Sequence, residues 1–376
     1  MSISTKTKVV IPTGLALFAM FFGAGSMVLP LQLGSISGQH TWLGLIVFLI
    51  LGVGVPFLGL FAGALYEGDY WKFFERIGKV PAFLFITFLI LMIGPVIAIP
   101  RTETVVYGTL HPMLPEFLQS IYVFDFIYFF FVYLVISNQS RVVDIIGWIL
   151  SPVKITTFIL LIVVGLYMAQ PLVAVTTPVS DVALTAVTMG YGTMDLLASL
   201  FFCSVAYRNI QNKCDQMGFT TRQEIIRMTL YSCVIGALLI SLVYMGFIFV
   251  AAFHAQELQG AGTSELLGKI AGAVLGDYGS IFVGICVTFA CLTTASALAE
   301  VTTEFFYEIV FKFKVPRQVC VFVLLAMMYI ISVFGFDKIM MVAAPILHIV
   351  YPALIILCVV NIYLKLKELK NSSASI

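Results

Sequence analysis

Two apolar stretches of this 376-residue chain contain paired glycines, hydroxyls and, in one case, an acid. They read FFGAGSMVLP (21–30) and TAVTMGYGTMDLLAS (185–199). Glycines weaken a helix, and a helix that unwinds exposes N–H groups at the start of its second half, where the dipole favours a carboxylate. It also exposes carbonyls at the end of its first half, which suit a small cation or an ammonium group. The two stretches therefore predict a site for a small charged molecule such as an amino acid.

The alternative interpretation is that these glycines only allow neighbouring helices to pack closely, as small residues do in membrane proteins. Each pair, Gly23/Gly25 and Gly190/Gly192, is followed by a hydroxyl-bearing residue. Exposed backbone inside a membrane is tolerated where it lines a cavity or is buried in protein. The repeated pattern favours the binding site.

The composition restricts the class of protein. Hydrophobic residues make up 61% of the chain and charged residues 10%, whereas a soluble domain has roughly a quarter of its residues charged. The chain is therefore predicted to be a membrane protein with many spans. A net charge of +1 offers no basic surface for nucleic acid. The seven cysteines and four histidines form no metal-binding or catalytic pattern, so we predict neither an enzyme nor a cofactor.

Apolar runs long enough to cross a bilayer as helices, about 20 residues each, extend from one end of the chain to the other. Residues 1–376 are thus predicted to form a single all-α transporter domain, with the bilayer as its surroundings and no obligate protein partner evident. The predicted spans are about 9–32, 42–66, 81–106, 121–137, 144–168, 183–207, 226–252, 280–306, 317–335 and 338–364.

The glycine-interrupted spans are the first and the sixth, which divides ten helices into five plus five. Because five is odd, the second unit must enter the membrane from the opposite side, giving an inverted repeat of about 9–168 and 183–364. Interrupted helices at matching places in two halves indicate the binding site of a transporter.

Basic residues are distributed unequally between the two sides of the predicted membrane. If the N-terminus is cytoplasmic, the outer loops hold only Lys269 and Lys338, while Arg101 and Lys154 fall within spans. The other sixteen of the 20 Lys and Arg residues then lie on the inner side. This positive-inside pattern predicts that both termini are cytoplasmic.

Charged residues within apolar runs are candidates for function. Asp195, next to the second interruption, could bind a cation, relay a proton or lock an inner gate; it could also form a structural ion pair or be a neutral hydrogen-bonded acid. Arg101 follows Pro100, which should disrupt the helix, and could gate the outer vestibule or pair with Glu103 or another acid. Glu300 is a further coupling candidate, or it simply reaches cytoplasmic water. Lys154 is expected to extend to the cytoplasmic interface.

Four segments resemble the bacterial branched-chain amino acid:cation symporters, the BrnQ-type carriers, in order along nearly the whole chain. They are FFGAGSMVLP (21–30), GPVIAIPRTETV (94–105), GYGTMDLLASLFF (190–202) and ACLTTASALAEVTTEFF (290–306). The resemblance implies the LeuT-type fold of the amino acid–polyamine–cation superfamily. It also implies import of leucine, isoleucine or valine with Na⁺ or H⁺ across the bacterial inner membrane.

The resemblance also implies particular site residues. Gly23-Ala24-Gly25 would be the break in span one, with Ser26 beside it, and the Ala24 and Gly25 amides would receive the substrate carboxylate. In span six, carbonyls just before Gly190-Tyr191-Gly192 would bind the ammonium, with Thr188 nearby. The Na⁺ ligands would be the following: the carbonyls of Ala19 and Phe22 and the hydroxyls of Thr293 and Thr294.

The chain departs from the family at Ser26, where Asn is usual, and at Met189, where a polar residue is usual; it also has fewer predicted spans. Oxygen ligands suit a hard cation. A threonine hydroxyl cannot take up and release a proton for transport, so Thr293 and Thr294 favour Na⁺ over H⁺ as the coupling ion. A membrane threonine often only bonds its own helix. Tyr191 and Phe22 are expected to form an apolar substrate pocket.

Two other classes of protein remain as alternatives. A channel would show a repeated filter element or a ring of charge, and a membrane enzyme would show clustered His, Asp or Cys. The sequence has neither pattern. Among transporters, H⁺ coupling or a different neutral amino acid as substrate stays open.

Overall fold

The computed structural model describes residues 3–137, 142–172, 177–216 and 221–374, and the regular elements of these residues are helices. Three π-helical turns, Ile50–Gly54, Met92–Val96 and Phe305–Val310, connect or extend them. In chain order the α-helices are α1 (Ile3–Phe21), α2 (Ala24–Ser37), α3 (Thr41–Leu49), α4 (Val55–Leu65), α5 (Tyr70–Phe74), α6 (Lys79–Leu91), α7 (Ala98–Leu110), α8 (Ile121–Ser137), α9 (Val142–Tyr167), α10 (Val179–Gly192), α11 (Asp195–Gln216), α12 (Arg222–Phe253), α13 (Leu266–Glu304), α14 (Arg317–Ser332) and α15 (Phe336–Ala374).

Several helical stretches are long and apolar enough to cross a membrane, which confirms an all-helical protein with many spans. Within the described ranges there are six: Ala24–Leu65, Lys79–Met113, Val179–Gln216, Arg222–Phe253, Thr263–Val310 and Phe336–Glu368. Shorter apolar helices cover Ile121–Ser137, Val153–Tyr167 and Arg317–Ser332. The ten predicted ranges are mainly helical wherever the structure describes them. The number of crossings and the five-plus-five repeat stay predictions.

The first glycine-rich stretch breaks its helix where predicted. Helix α1 ends at Phe21, Gly23 is extended with φ −107° and ψ −165°, and α2 begins at Ala24. The Gly23 N–H turns back to the Phe21 carbonyl at 2.8 Å instead of bonding four residues earlier. This first break is therefore a short interruption between two helices in one predicted span.

The second break lies later than the glycines that predicted it. Helix α10 continues through Gly190 and ends at Gly192, and α11 begins at Asp195. Met194 adopts a left-handed φ of 64°, a conformation that residues other than glycine rarely adopt. Glycine within a helix costs only about 1 kcal/mol relative to alanine, so the helix passes through the pair. The unwound residues are Thr193 and Met194.

A third interruption precedes α7 in predicted span 81–106. Gly94 has non-helical torsion angles (φ −95°, ψ −115°) within the π-helical turn, and α7 starts at Ala98. The helix is thus interrupted just before Pro100, as expected for a residue that cannot bond to the preceding turn. Pro100 is the third residue of α7, where its missing N–H would have no helical partner anyway.

The helices pack as two groups around the breaks. In the first group α12 packs against α1, α2, α4 and α11, while α10 packs against α3. In the second group α13 packs against α7, α8, α9 and α14. The groups meet where α9 contacts α12 and where α2 contacts α7 and α13. The first break thus lies at the junction of the two groups.

Gly34 determines how closely α2 approaches α12. A Cβ atom at this position would overlap the carbonyl oxygen of Ile248 and lie 2.9 Å from the Cβ of Ala251. The backbone carbonyl cannot move aside as a flexible side chain would. The two helices therefore need glycine here.

We expect Gly34→Ala to destabilise the protein by about 1–3 kcal/mol, the usual cost of overpacking, and to lower the melting temperature in detergent. The matched control is Gly272→Ala in α13, where the nearest atom to a new Cβ is the Ser280 hydroxyl oxygen at 3.9 Å. That control should melt at or slightly above the wild-type temperature. Equal melting of all three proteins would contradict the close contact.

Candidate functional site

The two breaks open onto one cavity. Helix α7 and the preceding turn, together with α13, complete its walls. The lining residues come from four elements: Met20, Phe21, Gly23, Ala24, Gly25 and Ser26 at the first break; Thr193, Met194, Asp195, Ala198 and Phe202 at the second; Ile93, Ala98, Arg101 and Thr102 before and in α7; and Thr294 and Leu298 in α13. The structure thus brings the two predicted segments together.

The beginning of α2 forms one side of the cavity. Gly23, Ala24, Gly25 and Ser26 all line it, as the resemblance implied. The first N–H groups of a helix have no partner within that helix, and the dipole is positive there. This wall is suited to a carboxylate.

A hydrogen-bonded network connects the two breaks. The buried Ser26 hydroxyl donates to the Phe21 carbonyl at 2.8 Å, which satisfies the end of α1. The Tyr244 hydroxyl donates to Asp195 Oδ2 at 2.9 Å and lies 2.8 Å from Ser26 Oγ. Tyr244 is fully buried in α12, and nothing in its apolar sequence context indicated this role. Ser26, the departure from the family pattern, is therefore a bonded member of the site.

Arg101 extends from α7 into the cavity and reaches the second break. Its Nη1 donates to the Gly192 carbonyl at 2.5 Å, and its Nη2 donates to the Thr193 carbonyl at 3.4 Å. A guanidinium is well suited to the negative end of α10. Among the described residues Arg101 forms no ion pair with Glu103, one of the alternatives considered for it, and both carboxyl oxygens of Glu103 are buried without a hydrogen-bond partner.

Comparison with known proteins agrees with this geometry. The model of the family described as "Branched-chain amino acid transport protein" matches residues 6–375. The chain belongs to that family. The family is one of carriers, not of enzymes, so the protein transports its ligand across a membrane.

Similar carriers occur in staphylococci. A Staphylococcus saprophyticus protein named as a branched-chain amino acid carrier is 32% identical over 358 residues, covering 90% of this chain and 78% of the relative. A Staphylococcus aureus protein with the same description is 31% identical over 389 residues, covering 96% of this chain and 84% of the relative.

A solved structure supports the fold of the carrier. MhsT, crystallised with L-phenylalanine, superimposes with a TM-score of 0.55 at 15% identity, over 91% of this chain and 87% of that one. Identity at this level shows the fold alone. The carrier therefore has the LeuT-type fold that the sequence resemblance implied.

The residues predicted from α10 lie outside the cavity lining. Thr188 is exposed, donates to the Leu184 carbonyl at 3.0 Å and lies 3.1 Å from the His348 ring. The Tyr191 ring stacks on Tyr351 with centroids 4.4 Å apart. The wall expected from Gly190-Tyr191-Gly192 is instead formed by Thr193, Met194 and Asp195, because the break begins after Gly192.

The cation ligands implied by the resemblance lie at the end of α1, in the first break and in α13. Thr294 lines the cavity, and a Cβ on Gly23 would lie 3.1 Å from its methyl group. Thr293 lies outside the lining and donates to the Ala290 carbonyl at 2.8 Å, to which Thr294 also donates at 3.1 Å. Ala19 lies near the end of α1, and Phe22 is in the break.

Lys154 of α9 lies beside the first break. Its side chain is 5% exposed, and its Nζ is 5.6 Å from the centroid of the Phe22 ring. The expectation that Lys154 extends to the cytoplasmic interface is therefore wrong. The cation–π contact with Phe22 offsets part of the cost of burying this charge away from water.

The apolar wall differs from the expected one. Phe22 contacts Phe158 and Phe247, with centroids 5.1 and 6.2 Å away, and neither Phe22 nor Tyr191 is among the residues that line the cavity. Phe21 and Phe202 line the cavity in their place, edge to face at 5.0 Å. Sequence position alone could not distinguish Phe21 from Phe22, because adjacent helical residues point in different directions.

Glu300 lies apart from the cavity, near the end of α13. Both of its carboxylate oxygens accept from Arg317 Nη2, at 2.8 and 2.6 Å, and Arg317 Nε donates to Glu304 at 2.9 Å. This cluster joins α13 to the start of α14. Glu300 thus forms an ion pair outside the proposed binding cavity.

We expect Gly25→Ala to reduce ligand uptake tenfold or more, because its Cβ would lie 2.6 Å from Arg101 Nη2 and displace the guanidinium or fill the site. Radiolabelled leucine uptake by reconstituted protein would measure the loss. The control is Gly54→Ala, where the nearest atom to the new Cβ is 3.8 Å away. Wild-type uptake by Gly25→Ala would contradict the site.

Proposed function

We propose that the protein imports branched-chain amino acids by symport with Na⁺. The observation that carries this proposal is that both helix breaks face one cavity with a helix N-terminus on one side and apolar side chains on another. The carboxylate would bind at Ala24 and Gly25, and the aliphatic side chain would lie toward Phe21 and Phe202. A gradient of the cation would supply the energy.

Leucine, isoleucine and valine are proposed as shared substrates, with methionine as a further candidate. An apolar pocket discriminates a single methylene by only about 1–3 kcal/mol. The cavity wall of Phe21, Phe202 and Leu298 offers no polar group to reject one of these side chains. A different neutral amino acid remains the alternative substrate.

The proposed cation site lies next to the first break. Support comes from the hydroxyl of Thr294, which lies beside Gly23 where the backbone leaves its helical hydrogen bonding. The carbonyls of Ala19 and Phe22 are the proposed backbone ligands, and the proposed hydroxyl ligands include Thr293. Oxygen ligands of this kind suit a hard cation.

Alternating access is the proposed transport mechanism. The first group of helices would rock against the second and expose the cavity to one side of the membrane at a time. The positive-inside pattern supports cytoplasmic termini in the bacterial inner membrane, and this orientation is part of the proposal.

A second candidate is coupling to H⁺ in place of Na⁺. The observation in its favour is the buried ammonium of Lys154, which lies beside Phe22 close to the proposed Na⁺ site. A protonated lysine would supply a positive charge there, and a neutral one would remove it. Lys154 is thus a group that could bind and release the coupled proton, as the threonine hydroxyls cannot.

The deciding experiment is radiolabelled leucine uptake into proteoliposomes, with Na⁺ and pH gradients imposed separately. We expect an inward Na⁺ gradient to drive leucine accumulation. An inward H⁺ gradient alone should give no more leucine uptake than vesicles without any ion gradient. Accumulation driven by H⁺ and indifferent to Na⁺ would replace Na⁺ coupling with the second candidate. Absence of saturable leucine uptake under both gradients would overturn the assignment of leucine as a substrate.

Thr294→Ala should raise the Na⁺ concentration needed for half-maximal uptake about tenfold, the loss expected for one hydrogen-bonding or ligating hydroxyl. Leucine affinity at saturating Na⁺ should change much less. Thr288→Ala is the control, because Thr288 is also in α13 and donates to its own helix at the Gly284 carbonyl, at 2.8 Å. Unchanged Na⁺ activation in Thr294→Ala would move the cation site elsewhere.

A further inference from the structure

Two oppositely charged side chains line the same cavity without forming an ion pair with each other. They are Arg101 and Asp195, which are 3% and 5% exposed. Arg101 donates to two backbone carbonyls and to the Met340 sulfur, at 3.2 Å, and Asp195 Oδ2 accepts from Tyr244. Isolated buried charges are costly in a membrane unless something compensates them. A molecule that lies between these two and carries both charges would supply that compensation.

The Arg101 guanidinium retains an unused donor. Its Nε is buried and has no hydrogen-bond partner among the described residues, although guanidinium groups commonly bind carboxylates through a two-pronged fork. Nη2 lies next to Gly25, since a Cβ there would be 2.6 Å away. The guanidinium and the start of α2 therefore converge on one region of the cavity. A carboxylate placed there would accept hydrogen bonds from both.

The backbone carbonyls at the second break are already in use, and they lie after the carbonyls preceding Gly190 that the resemblance assigned to the ammonium. Arg101 donates to the carbonyls of Gly192 and Thr193 at the end of α10, so a second cation at the same oxygens would meet the repulsion of a like charge. Asp195, the first residue of α11, lines the cavity directly after this break. It is the acidic side chain of the lining set. An ammonium group would bind most favourably there.

We propose that Arg101 and Asp195 are the two ionic ligands of the transported amino acid, with Arg101 and the Gly25 amide binding the α-carboxylate and Asp195 binding the α-ammonium. This inference rests on the proposed function and specifies its substrate class as zwitterionic α-amino acids. Tyr244 of α12 is a positioning residue, because its hydroxyl donates to the Asp195 carboxylate, and Ser26 of α2 contacts that same hydroxyl. A ligand that lacks either charged group is bound poorly.

The test compares three ligands that share one carbon skeleton. L-Leucine has both charged groups, L-leucinamide lacks the carboxylate charge, and 4-methylpentanoate lacks the ammonium. Their affinities are measured on the purified full-length protein in detergent by competition with radiolabelled leucine and by ligand-induced change in melting temperature. Wild-type protein should bind leucine about tenfold to a hundredfold more tightly than either analogue, as the loss of one charged hydrogen bond predicts.

Each substitution should abolish the preference for one charged group of the ligand, either its carboxylate or its ammonium, and leave the preference for the other. Arg101→Gln should lower the affinity for leucine about tenfold to a hundredfold. The affinity for leucinamide should then lie within threefold of that for leucine, while 4-methylpentanoate should still bind more weakly than leucine. Asp195→Asn should show the reverse pattern. Asp125→Asn is the matched control, a buried carboxyl in α8 outside the cavity lining, and should retain both discriminations.

Several outcomes would overturn the assignment. An equal loss of affinity for all three ligands in both variants would mean that Arg101 and Asp195 act only on packing. Wild-type protein that binds an analogue as well as leucine would also contradict it. If Arg101→Gln fails to fold, Arg101→Lys replaces it; this variant keeps the charge, so it should bind leucine more weakly but still reject leucinamide.

Failure of the proposed function has a different signature. It would appear as absence of leucine uptake and binding in the wild-type protein. If the wild type binds another neutral amino acid, the amide and the deaminated acid of that compound test the same two ligands. If Arg101→Gln and Asp195→Asn still distinguish the amino acid from both analogues as the wild type does, the two ionic contacts are rejected and the proposed function stands.

Discussion

A helix that unwinds within a membrane leaves N–H and C=O groups that must be satisfied by protein or by a ligand. In this carrier each break has its own polar partners. The Ser26 hydroxyl bonds the Phe21 carbonyl at the end of α1, and Arg101 bonds the carbonyls of Gly192 and Thr193 at the end of α10. The residues at the start of α2 line the cavity instead, and the first N–H groups of a helix have no partner within that helix. The arrangement of the site follows from which backbone groups are satisfied and which remain for a ligand.

The sequence was sufficient to predict a helical membrane protein, its family and the first break, but it misplaced the second break. Gly23 and Gly25 are in the unwound region or next to it, whereas Gly190 and Gly192 are inside α10. A glycine pair lowers the cost of unwinding without requiring it. At the second break the stabilising partner is Arg101, which lies 91 residues before Gly192 in the chain. Local sequence carries no information about such a contact.

The roles of single polar residues were harder still to predict. Tyr244 lies in a uniformly apolar span, yet it connects Ser26 to Asp195. Lys154 could have extended to water with equal ease, and its burial beside Phe22 depends on how α9 packs against α12 and α13. In both cases the side chain's environment is made by other helices. The residue type indicates a capacity for chemistry, and the packing determines whether that capacity is used.

The cavity also joins two groups of helices that the proposed mechanism moves relative to each other. Ser26, Asp195 and Tyr244 belong to the first group, while Arg101 and Thr294 belong to the second. A substrate bound between Arg101 and Asp195 would therefore connect the groups through its own two charges. In the structure Arg101 already makes such a connection through the α10 carbonyls. A carboxylate that competes for the guanidinium would weaken that connection, which gives binding of the correct substrate a direct effect on the relative position of the groups.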